Sequence, residues 1–319
     1  MNRSPFPILL TAALVLSGCV AAPAAPVAPT PAAAVETRPS QLLEDVRILS
    51  ADDMEGRDTG SSGGERARAY ILSRLEAIGV QAPPFGRLQP FQASGRTAEG
   101  VKAFSGVNIV GLIPGTRVPD RYIVVTAHYD HVGVSGDQIY NGADDNASGV
   151  ATMLEMATRL KADPPEHSVL IVALDGEERG LLGAREFVRA PPVPLSSISL
   201  NLNFDMTARA ETDGHLWVTG TYQHPQLRPI LEAVAPQGPV SFAFGKDTPQ
   251  DTGENNWVDA SDHGAFHEAG VPFLYMGVDY HPDYHRPSDD FERITPAVFT
   301  SATEIAIAGF RALDKALDR

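Results

Sequence analysis

The chain has 319 residues, a formal net charge of −15 and a single cysteine. One cysteine excludes an intramolecular disulfide framework, and the acidic balance disfavours binding to nucleic acid or to an anionic membrane through charge. The chain is long enough to bury a sizeable core, and no internal repeat is visible.

The N-terminal segment resembles a bacterial lipoprotein signal. Arg3 precedes an apolar run over residues 8–16 that is too short to cross a bilayer as a helix, and Leu16-Ser17-Gly18-Cys19 resembles a lipoprotein cleavage site. The resemblance implies a signal peptide over residues 1–18 and a membrane anchor through lipid on Cys19. An ordinary secretory signal is the alternative.

Residues 19–39 are mostly alanine, proline and valine, a composition that cannot build a core and is typical of an extended tether. We therefore predict one folded domain over residues 40–319. Val20 and Ala21 follow Cys19, and by resemblance to known sorting signals they favour the periplasmic face of the outer membrane in a Gram-negative host.

Hydrophobic patterning predicts alternating helices and strands after residue 40. The helices are predicted over residues 63–78, 148–162, 181–189 and 295–317, and the strands over residues 107–112, 122–127, 168–174, 199–204 and 272–276. Such alternation is typical of an α/β domain whose mostly parallel, mixed sheet is covered by helices on both faces.

Side chains that can bind metal recur after four of these strands. Random surface carboxylates would not recur at strand exits so regularly, and the carboxyl ends of strands are where open α/β sheets place their sites. Nitrogen and oxygen ligands without cysteine suit zinc, or else manganese or cobalt. Two imidazoles and three carboxylates fit two metals about 3.5 to 4 Å apart if one carboxylate bridges them. The five residues are His128, Asp145, Glu178, Asp205 and His285.

Each of these residues alone has an ordinary structural explanation. Glu177 and Glu178 could be a solvated loop, and residues 144–146 could cap the helix that follows. Their joint pattern favours the metal site. We expect the remaining histidines near these motifs to line a pocket, support ligands or lie on the surface, and we assign no role to Asp262; these histidines are His131, His263, His267 and His281.

The motifs H-Y-D, G-A-D-D-N-A-S-G, D-G-E-E, N-F-D-M, S-D-H and Y-H-R-P-S-D resemble, in order and spacing, the di-zinc aminopeptidases of metallopeptidase family twenty-eight. Secreted bacterial leucyl aminopeptidases are the type of that family. The resemblance runs from about Ile48, where L-S-A-D-D-M-E-G-R begins one residue later, to Arg293. It implies that residues 40–319 form a single di-zinc exopeptidase domain.

The resemblance also implies the roles of the ligands. Asp145 corresponds to the carboxylate that bridges two zinc ions. His128 and Asp205 complete one zinc site, and Glu178 and His285 complete the other.

Four further residues acquire roles by the same resemblance. Glu177 corresponds to the general base, and the Tyr284 hydroxyl to the group that helps polarise the scissile carbonyl. Asp130 and Asp289 are expected to support the ligand histidines from behind, since each follows one of them closely in the sequence.

The function implied is an exported aminopeptidase that releases N-terminal residues from peptides by means of a metal-bridging hydroxide. Three alternatives stay open: a glutaminyl cyclase on the same fold, a carboxypeptidase, and a non-catalytic binding domain. A carboxypeptidase would need a cationic pocket, for which Arg209 is the one hint. A binding domain would be expected to have lost a ligand or the base.

Three parts of the chain depart from the family pattern. Thr207 and Ala208 replace the usual residues that follow Asp205-Met206. Asp144 stands where many relatives have asparagine, and we expect it to add negative charge near the metals or the substrate amine. Residues 212–258 match least well, and we expect this stretch to contribute apolar walls to a specificity pocket, with Phe242, Phe244 and Trp257 as candidates.

Overall fold

The structure is a computed structural model that describes residues 1–2, 40–97 and 100–318. The predicted cleavage site, Cys19 and the tether over residues 19–39 lie outside the described residues. Among the residues that are described, no helix has the length and apolar character needed to cross a membrane.

The described chain contains seven α-helices and ten strands. The helices are α1 (Gln41–Leu49), α2 (Ser62–Ile78), α3 (Gly149–Ala162), α4 (Leu182–Arg189), α5 (Arg228–Glu232), α6 (His263–Glu268) and α7 (Pro296–Ala316). The strands are β1 (Leu88–Thr97), β2 (Gly100–Ile113), β3 (Val118–His128), β4 (Gly133–Ser135), β5 (Gln138–Tyr140), β6 (His167–Leu174), β7 (Ile198–Phe204), β8 (His215–Thr219), β9 (Ser241–Phe244) and β10 (Phe273–Gly277).

Eight strands form one sheet in the order β1-β2-β6-β3-β7-β10-β8-β9, while β4 and β5 form a separate hairpin. The four central strands, β6, β3, β7 and β10, run parallel to one another. β8 and β9 are also parallel, whereas β1 with β2, β2 with β6, and β10 with β8 are antiparallel. The predicted mixed, mostly parallel sheet is confirmed.

Two buried clusters lie against the sheet. Val150 of α3 and Phe310 of α7 belong to the larger cluster, and Phe187 of α4 and Phe266 of α6 belong to the smaller one. β6 is buried along its whole length because helices cover both faces, which explains its continuous apolar sequence. The expectation of helices on both faces is confirmed.

The parallel central strands determine where polar side chains can gather. The carboxyl ends of β6, β3, β7 and β10 lie side by side, since these strands are neighbours in the sheet. Residues that immediately follow the four strands therefore meet at one edge.

Candidate metal centre

The predicted ligands are brought together at this edge of the sheet. His128 is the last residue of β3, and Asp205 directly follows β7. Glu178 lies in the turn between β6 and α4, and His285 in the loop after β10. Asp145 belongs to a distorted helical segment, Ala143–Ser148, just before α3.

The Asp145 carboxylate lies between the two histidines that are predicted to be ligands. Its Oδ1 atom is 3.5 Å from Nε2 of His128, and its Oδ2 atom is 3.0 Å from Nε2 of His285. The two oxygens of one carboxylate thus contact different imidazoles, which is the arrangement that a carboxylate shared by two metal ions requires.

Each half of the centre has a further carboxylate. Asp205 Oδ1 is 3.2 Å from His128 Nε2, and Glu178 Oε2 is 3.3 Å from His285 Nε2. Donor atoms that are each about 2.0 to 2.2 Å from one tetrahedral zinc are separated by roughly 3.3 Å. The distances in both halves match this spacing.

Asp289 holds the backbone around Asp145. Its oxygens accept the backbone N–H groups of Asp144, at 3.0 and 3.1 Å, and of Asp145, at 3.0 Å. The sequence predicted that Asp289 would orient His285 instead. The observed contacts lead us to assign its support to Asp145. The peptide bond between Asp145 and Asn146 is cis.

Asp130 supports three site residues through two different groups. Its backbone carbonyl oxygen lies 3.1 Å from His128 Nδ1, whereas the nearer carboxylate oxygen is 3.8 Å away. The carboxylate accepts the backbone N–H groups of Glu177 at 3.1 Å and Glu178 at 3.3 Å. Asp130 therefore fixes the turn that carries both glutamates, and its backbone carbonyl faces the ring of His128.

Glu177 lines the same cleft as Asp145 and Asp205. Burial of its carboxylate raises the pKa of Glu177 well above its usual range, the negative charges of Glu178 and Asp205 raise it further, and His128 opposes the shift. Burial also raises the pKa of Glu178, but its contacts with His131 and His285 outweigh burial and hold that pKa well below its usual range.

His131 is a member of the cluster that sequence analysis did not select. It is completely buried, and its Nδ1 atom is 2.7 Å from Glu178 Oε1 and 3.8 Å from Asp145 Oδ2. Its position three residues after His128 in the H-Y-D-H sequence was the available signal. Because five other residues already supply enough ligands, this signal alone does not assign His131 to the metal.

An aromatic wall faces the centre. Tyr284 stacks on His285 with 4.0 Å between the ring centroids. The cleft is also lined by Met206, Trp257, Ala260, Tyr275, Val278 and Tyr280. Of the three predicted wall residues, Trp257 lines this cleft, whereas Phe242 and Phe244 pack against the larger core cluster. Burial raises the pKa of Tyr284, as do the nearby charges of Asp145 and Glu178, so its hydroxyl stays protonated.

Asp144 and His281 form a buried pair beside the centre. Asp144 Oδ2 is 3.1 Å from His281 Nε2, and Asp144 Oδ1 accepts bonds from the Ser148 hydroxyl and the Ala208 backbone N–H. The sequence placed the charge of Asp144 near the metals or the substrate amine. The structure instead engages both oxygens of this carboxylate in internal contacts.

Asp262 has no hydrogen-bond partner among the described residues, whereas Arg209 forms ion pairs. Asp262 is fully buried and neither carboxylate oxygen has a hydrogen-bond partner among the described residues. Burial, with the nearby charges of Asp130 and Asp205, raises the pKa of Asp262 to about 8. Arg209 forms ion pairs with Glu211 at 2.9 Å and Asp283 at 3.0 Å, so its charge is neutralised within the protein.

The donor atoms fit zinc. Two sets of three residues each place their donor atoms within 4.8 Å of one another, namely His128, Asp145 and Asp205, and His131, Asp145 and Glu178. The sets contain imidazole nitrogens and carboxylate oxygens, which zinc prefers when thiolates are absent. Glu178 Oε1 and both ring nitrogens of His131 are buried without a hydrogen-bond partner among the described residues. A bound cation would satisfy Glu178 Oε1 and the nearer His131 nitrogen, Nδ1.

The mixed sheet and the paired ligand sets at its edge define an α/β protein with a candidate centre for two metal ions. Residues 108–309 match the peptidase family M28. Since this match covers more than half of the chain, the protein belongs to the M28 family, and the predicted resemblance is confirmed.

Named relatives are aminopeptidases. Aminopeptidase YwaD of Bacillus subtilis is 31% identical over 225 residues, covering 65% of this chain and 45% of YwaD. The probable lipoprotein aminopeptidase LpqL of Mycobacterium tuberculosis is 25% identical over 281 residues, covering 78% of this chain and 53% of LpqL. The chain thus spans about half the length of the curated relatives it matches.

Solved structures share the fold. The zinc aminopeptidase BSAP from Bacillus subtilis has a TM-score of 0.67 at 19% identity, over 86% of this chain and 94% of BSAP. A glutaminyl cyclase from Porphyromonas gingivalis has the same TM-score of 0.67 at 19% identity, over 86% of this chain and 96% of the cyclase. The fold alone therefore does not choose between these two activities.

Proposed function

We propose that the chain is an exported, zinc-dependent aminopeptidase that hydrolyses the first residue from peptides. The observation that carries this proposal is the division of the Asp145 carboxylate between His128 and His285, at 3.5 and 3.0 Å. One carboxylate placed in this way supports a pair of zinc ions, as does the presence of a separate acidic ligand in each half. The names of the relatives agree with the activity.

Zinc ions held by these ligands would polarise the scissile carbonyl and lower the pKa of the attacking water from about 15.7 towards neutrality. Glu177 lies in the same cleft as Asp145 and Asp205. In this proposal Glu177 removes the proton from the attacking water and delivers it to the leaving amine. The Tyr284 hydroxyl, which remains protonated, donates a hydrogen bond to the carbonyl oxygen of the substrate.

The negative charge and the apolar lining of the cleft determine which peptides the site favours. The carboxylates of Asp145, Glu177 and Asp205 face one cleft and attract a free α-amine. Met206 and Trp257, with the neighbouring tyrosines, provide walls that favour an apolar first side chain.

The proposal is tested by metal content and turnover of the full chain. We expect two zinc ions per wild-type chain and hydrolysis of leucine anilide. Glu177→Ala should retain both ions and lose about 10²- to 10⁴-fold in kcat, because only the proton transfer is removed. Glu268→Ala is the control, since Glu268 is an exposed glutamate paired with Arg185 on the surface. Absence of bound zinc, or undiminished turnover by Glu177→Ala, would overturn the assignment.

Glutaminyl cyclisation is the second candidate, because cyclases share the fold equally well. A cyclase would use one zinc ion, so the paired ligand sets favour the peptidase. Incubation with a peptide that begins with glutamine separates the two activities. Release of free glutamine supports the aminopeptidase, and loss of ammonia from an intact peptide supports the cyclase. Arg209 offers a carboxypeptidase little support, because Glu211 and Asp283 neutralise its charge.

The site of action is proposed to be a membrane surface reached by lipid attachment. The sequence around Cys19 supports this proposal, and the name of LpqL agrees with it. Expression of the full chain in a Gram-negative host should yield an N-terminal peptide that begins with a lipid-modified Cys19. Cys19→Ser should abolish the modification. An unmodified mature N-terminus in the wild type would contradict the anchor.

A further inference from the structure

His131 has the position of a metal-binding residue without a described structural task. Its ring is completely buried, and neither ring nitrogen has a hydrogen-bond partner among the described residues. Burying an imidazole without partners is unfavourable, because its nitrogens lose their hydrogen bonds to water. Such a ring is expected to have another partner in the working protein.

The environment of His131 indicates that this partner is a cation. Nδ1 lies 2.7 Å from Glu178 Oε1 and 3.8 Å from Asp145 Oδ2. Although Nδ1 and Oε1 are close, they lack the alignment of a hydrogen bond, and both atoms remain unpartnered. The donor atoms of His131, Asp145 and Glu178 all lie within 4.8 Å of one another, which is close enough for them to share one ion.

The packing around His131 fixes its ring in this position. The His131 and His285 rings meet edge to face with 5.8 Å between their centroids. Gly142 lies against another edge of the ring, since an added Cβ there would lie 2.5 Å from His131 Cδ2 and 2.7 Å from Cγ. The imidazole is therefore held beside Glu178 by its neighbours.

We propose that His131 is a further ligand of the metal ion held by Asp145, Glu178 and His285. This inference rests on the proposed zinc centre. Four protein residues would then hold that ion, whereas His128, Asp145 and Asp205 hold the other. The ion on the Glu178 side binds more tightly and is the last to leave when zinc is removed, because it has the additional imidazole.

The alternative role for His131 is to donate a hydrogen bond that positions Glu178. Two substitutions distinguish these roles. His131→Gln keeps an N–H donor that can reach Glu178 but removes the imidazole, and His131→Leu removes both. His281→Gln is the matched control, because His281 is also a buried histidine near the centre but contacts Asp144 instead of a proposed ligand.

Zinc affinity is measured by competition with a chromophoric chelator on the full-length proteins. We expect both His131 variants to bind one of their two zinc ions at least about 100-fold more weakly than wild type, beyond the effect typical of supporting residues. His281→Gln should retain both affinities. Wild-type affinity in His131→Gln with weak binding in His131→Leu would assign His131 to hydrogen bonding and overturn the proposal. Wild-type affinity in both variants would overturn it as well.

A crystal structure of the zinc-loaded wild-type protein decides the matter if the variants fail to fold. A His131 Nδ1–zinc distance of about 2.0 to 2.1 Å is expected. A distance greater than about 3 Å would refute ligation while leaving the zinc centre intact. A wild-type protein that binds no zinc would instead refute the proposed function, so the two failures are distinguishable.

Discussion

Arg57 places a buried positive charge beside the carboxylate cluster. Its guanidinium donates hydrogen bonds to the carbonyl oxygens of Tyr129 at 2.9 Å, Asn141 at 2.6 Å and Gly142 at 2.9 Å. Burial lowers the pKa of Arg57 to about 10, against the opposing charges of Asp145 and Asp289, so the side chain remains protonated at pH 7. Arg57 thus joins the segment after β3 to the segment that carries Asp145.

Arg57→Lys should therefore destabilise the protein despite retaining the charge. A lysine ammonium cannot reproduce the planar fork of donors, so buried carbonyl oxygens lose their partners. We expect a loss of about 2 to 4 kcal/mol in the free energy of unfolding by urea titration. Arg47→Lys is the control, since Arg47 is half exposed and pairs with Glu44 on the surface. Equal effects of the two substitutions would show that the fork of Arg57 is unimportant.

Gly142 is required by the geometry around the bridging carboxylate. Its φ angle is +56°, and an added Cβ would lie 2.0 Å from the backbone oxygen of Asp145. Gly142→Ala should therefore weaken zinc binding as well as stability, because Asp145 must move. Gly136 has a similar φ of +63° with no atom within 4 Å of the added Cβ. Gly136→Ala should cost only about 1 kcal/mol in backbone strain. It should leave zinc affinity unchanged when both variants are measured by competition with a chromophoric chelator. Unchanged affinity in Gly142→Ala would contradict this account.

At the residue scale, the sequence predicted the cluster better than its supporting contacts. His128, Asp205 and Glu178 are recognisable because they follow apolar strands closely. The place of His131 depends on how the segment after β3 packs against Glu178, and Asp289 contacts backbone groups 144 residues or more away in the chain. Such contacts arise from the tertiary fold and leave no periodic pattern in the sequence.

At the level of secondary structure, the C-terminal helix α7 is joined to the beginning of β6 by one buried carboxylate. Asp314 accepts the backbone N–H groups of Glu166 at 2.8 Å and His167 at 2.9 Å, and it lies 2.9 Å from His167 Nδ1. Asp318 lies 3.1 Å from the other ring nitrogen of His167. These contacts fix the strand that precedes Glu177 and Glu178.

Asp314→Ala should destabilise the protein by about 3 kcal/mol, because it leaves a buried imidazole and two backbone donors unpaired. Asp163→Ala, at an exposed aspartate that pairs with Arg311, should change the free energy of unfolding by less than about 0.5 kcal/mol. Denaturant unfolding of both variants at pH 6 checks the difference. A similar small effect in both would refute the role of Asp314.

The contribution of this pair should depend on pH in both directions. Burial lowers the pKa of His167, but Asp314 and Asp318 outweigh burial and raise it overall. Burial raises the pKa of Asp314, but hydrogen bonding to His167 outweighs burial and lowers it overall. The stabilisation by His167 is complete below about pH 6.5 and is lost as the pH rises through the folded-state pKa of His167. The stabilisation by Asp314 is complete above about pH 3.9 and is lost as the pH falls through the folded-state pKa of Asp314. The stability gap between wild type and Asp314→Ala should thus be largest between these limits.

The predictability of an element follows from its burial. β3, β6, β7 and β10 are central strands whose apolar runs are visible in the sequence, and the helix predicted over residues 63–78 ends, as expected, at Gly79 in a left-handed conformation. β1 and β9 form the edges of the sheet. An edge strand is less completely covered, so its sequence can remain polar, as in L-Q-P-F-Q-A-S-G-R-T of β1. β1 therefore has no apolar run that would predict it, whereas β8 and β9 span only five and four residues and are too short to give a clear pattern.

For the whole molecule, we expect the strongest electrostatic repulsion among the carboxylates of the metal centre when no cation is bound there. The formal charge is already −15, and the Asp145 carboxylate lies within 4.8 Å of Asp205 in one ligand set and of Glu178 in the other. Buried like charges repel, and their exposure on unfolding relieves that repulsion. We therefore expect bound zinc to stabilise the fold, because it neutralises the repulsion between these carboxylates.

Removal of metal should lower the thermal stability of the full chain. At a free zinc concentration 1,000 times the dissociation constant, binding contributes about 4 kcal/mol, so chelation with EDTA should lower Tm by at least about 5 °C. Added zinc should restore Tm, whereas magnesium at the same concentration should not, because magnesium prefers six oxygen ligands to imidazole.

Two aspartate variants show whether this effect originates at the centre. Asp205→Asn should reduce the difference in Tm between the zinc-loaded and chelated proteins, since it weakens one ligand set. Asp120→Asn changes an exposed aspartate and should leave that difference unchanged. An equal response of both variants to EDTA would place the stabilising metal elsewhere in the protein, because Asp205 contacts His128 in the proposed centre, whereas Asp120 is an exposed surface residue.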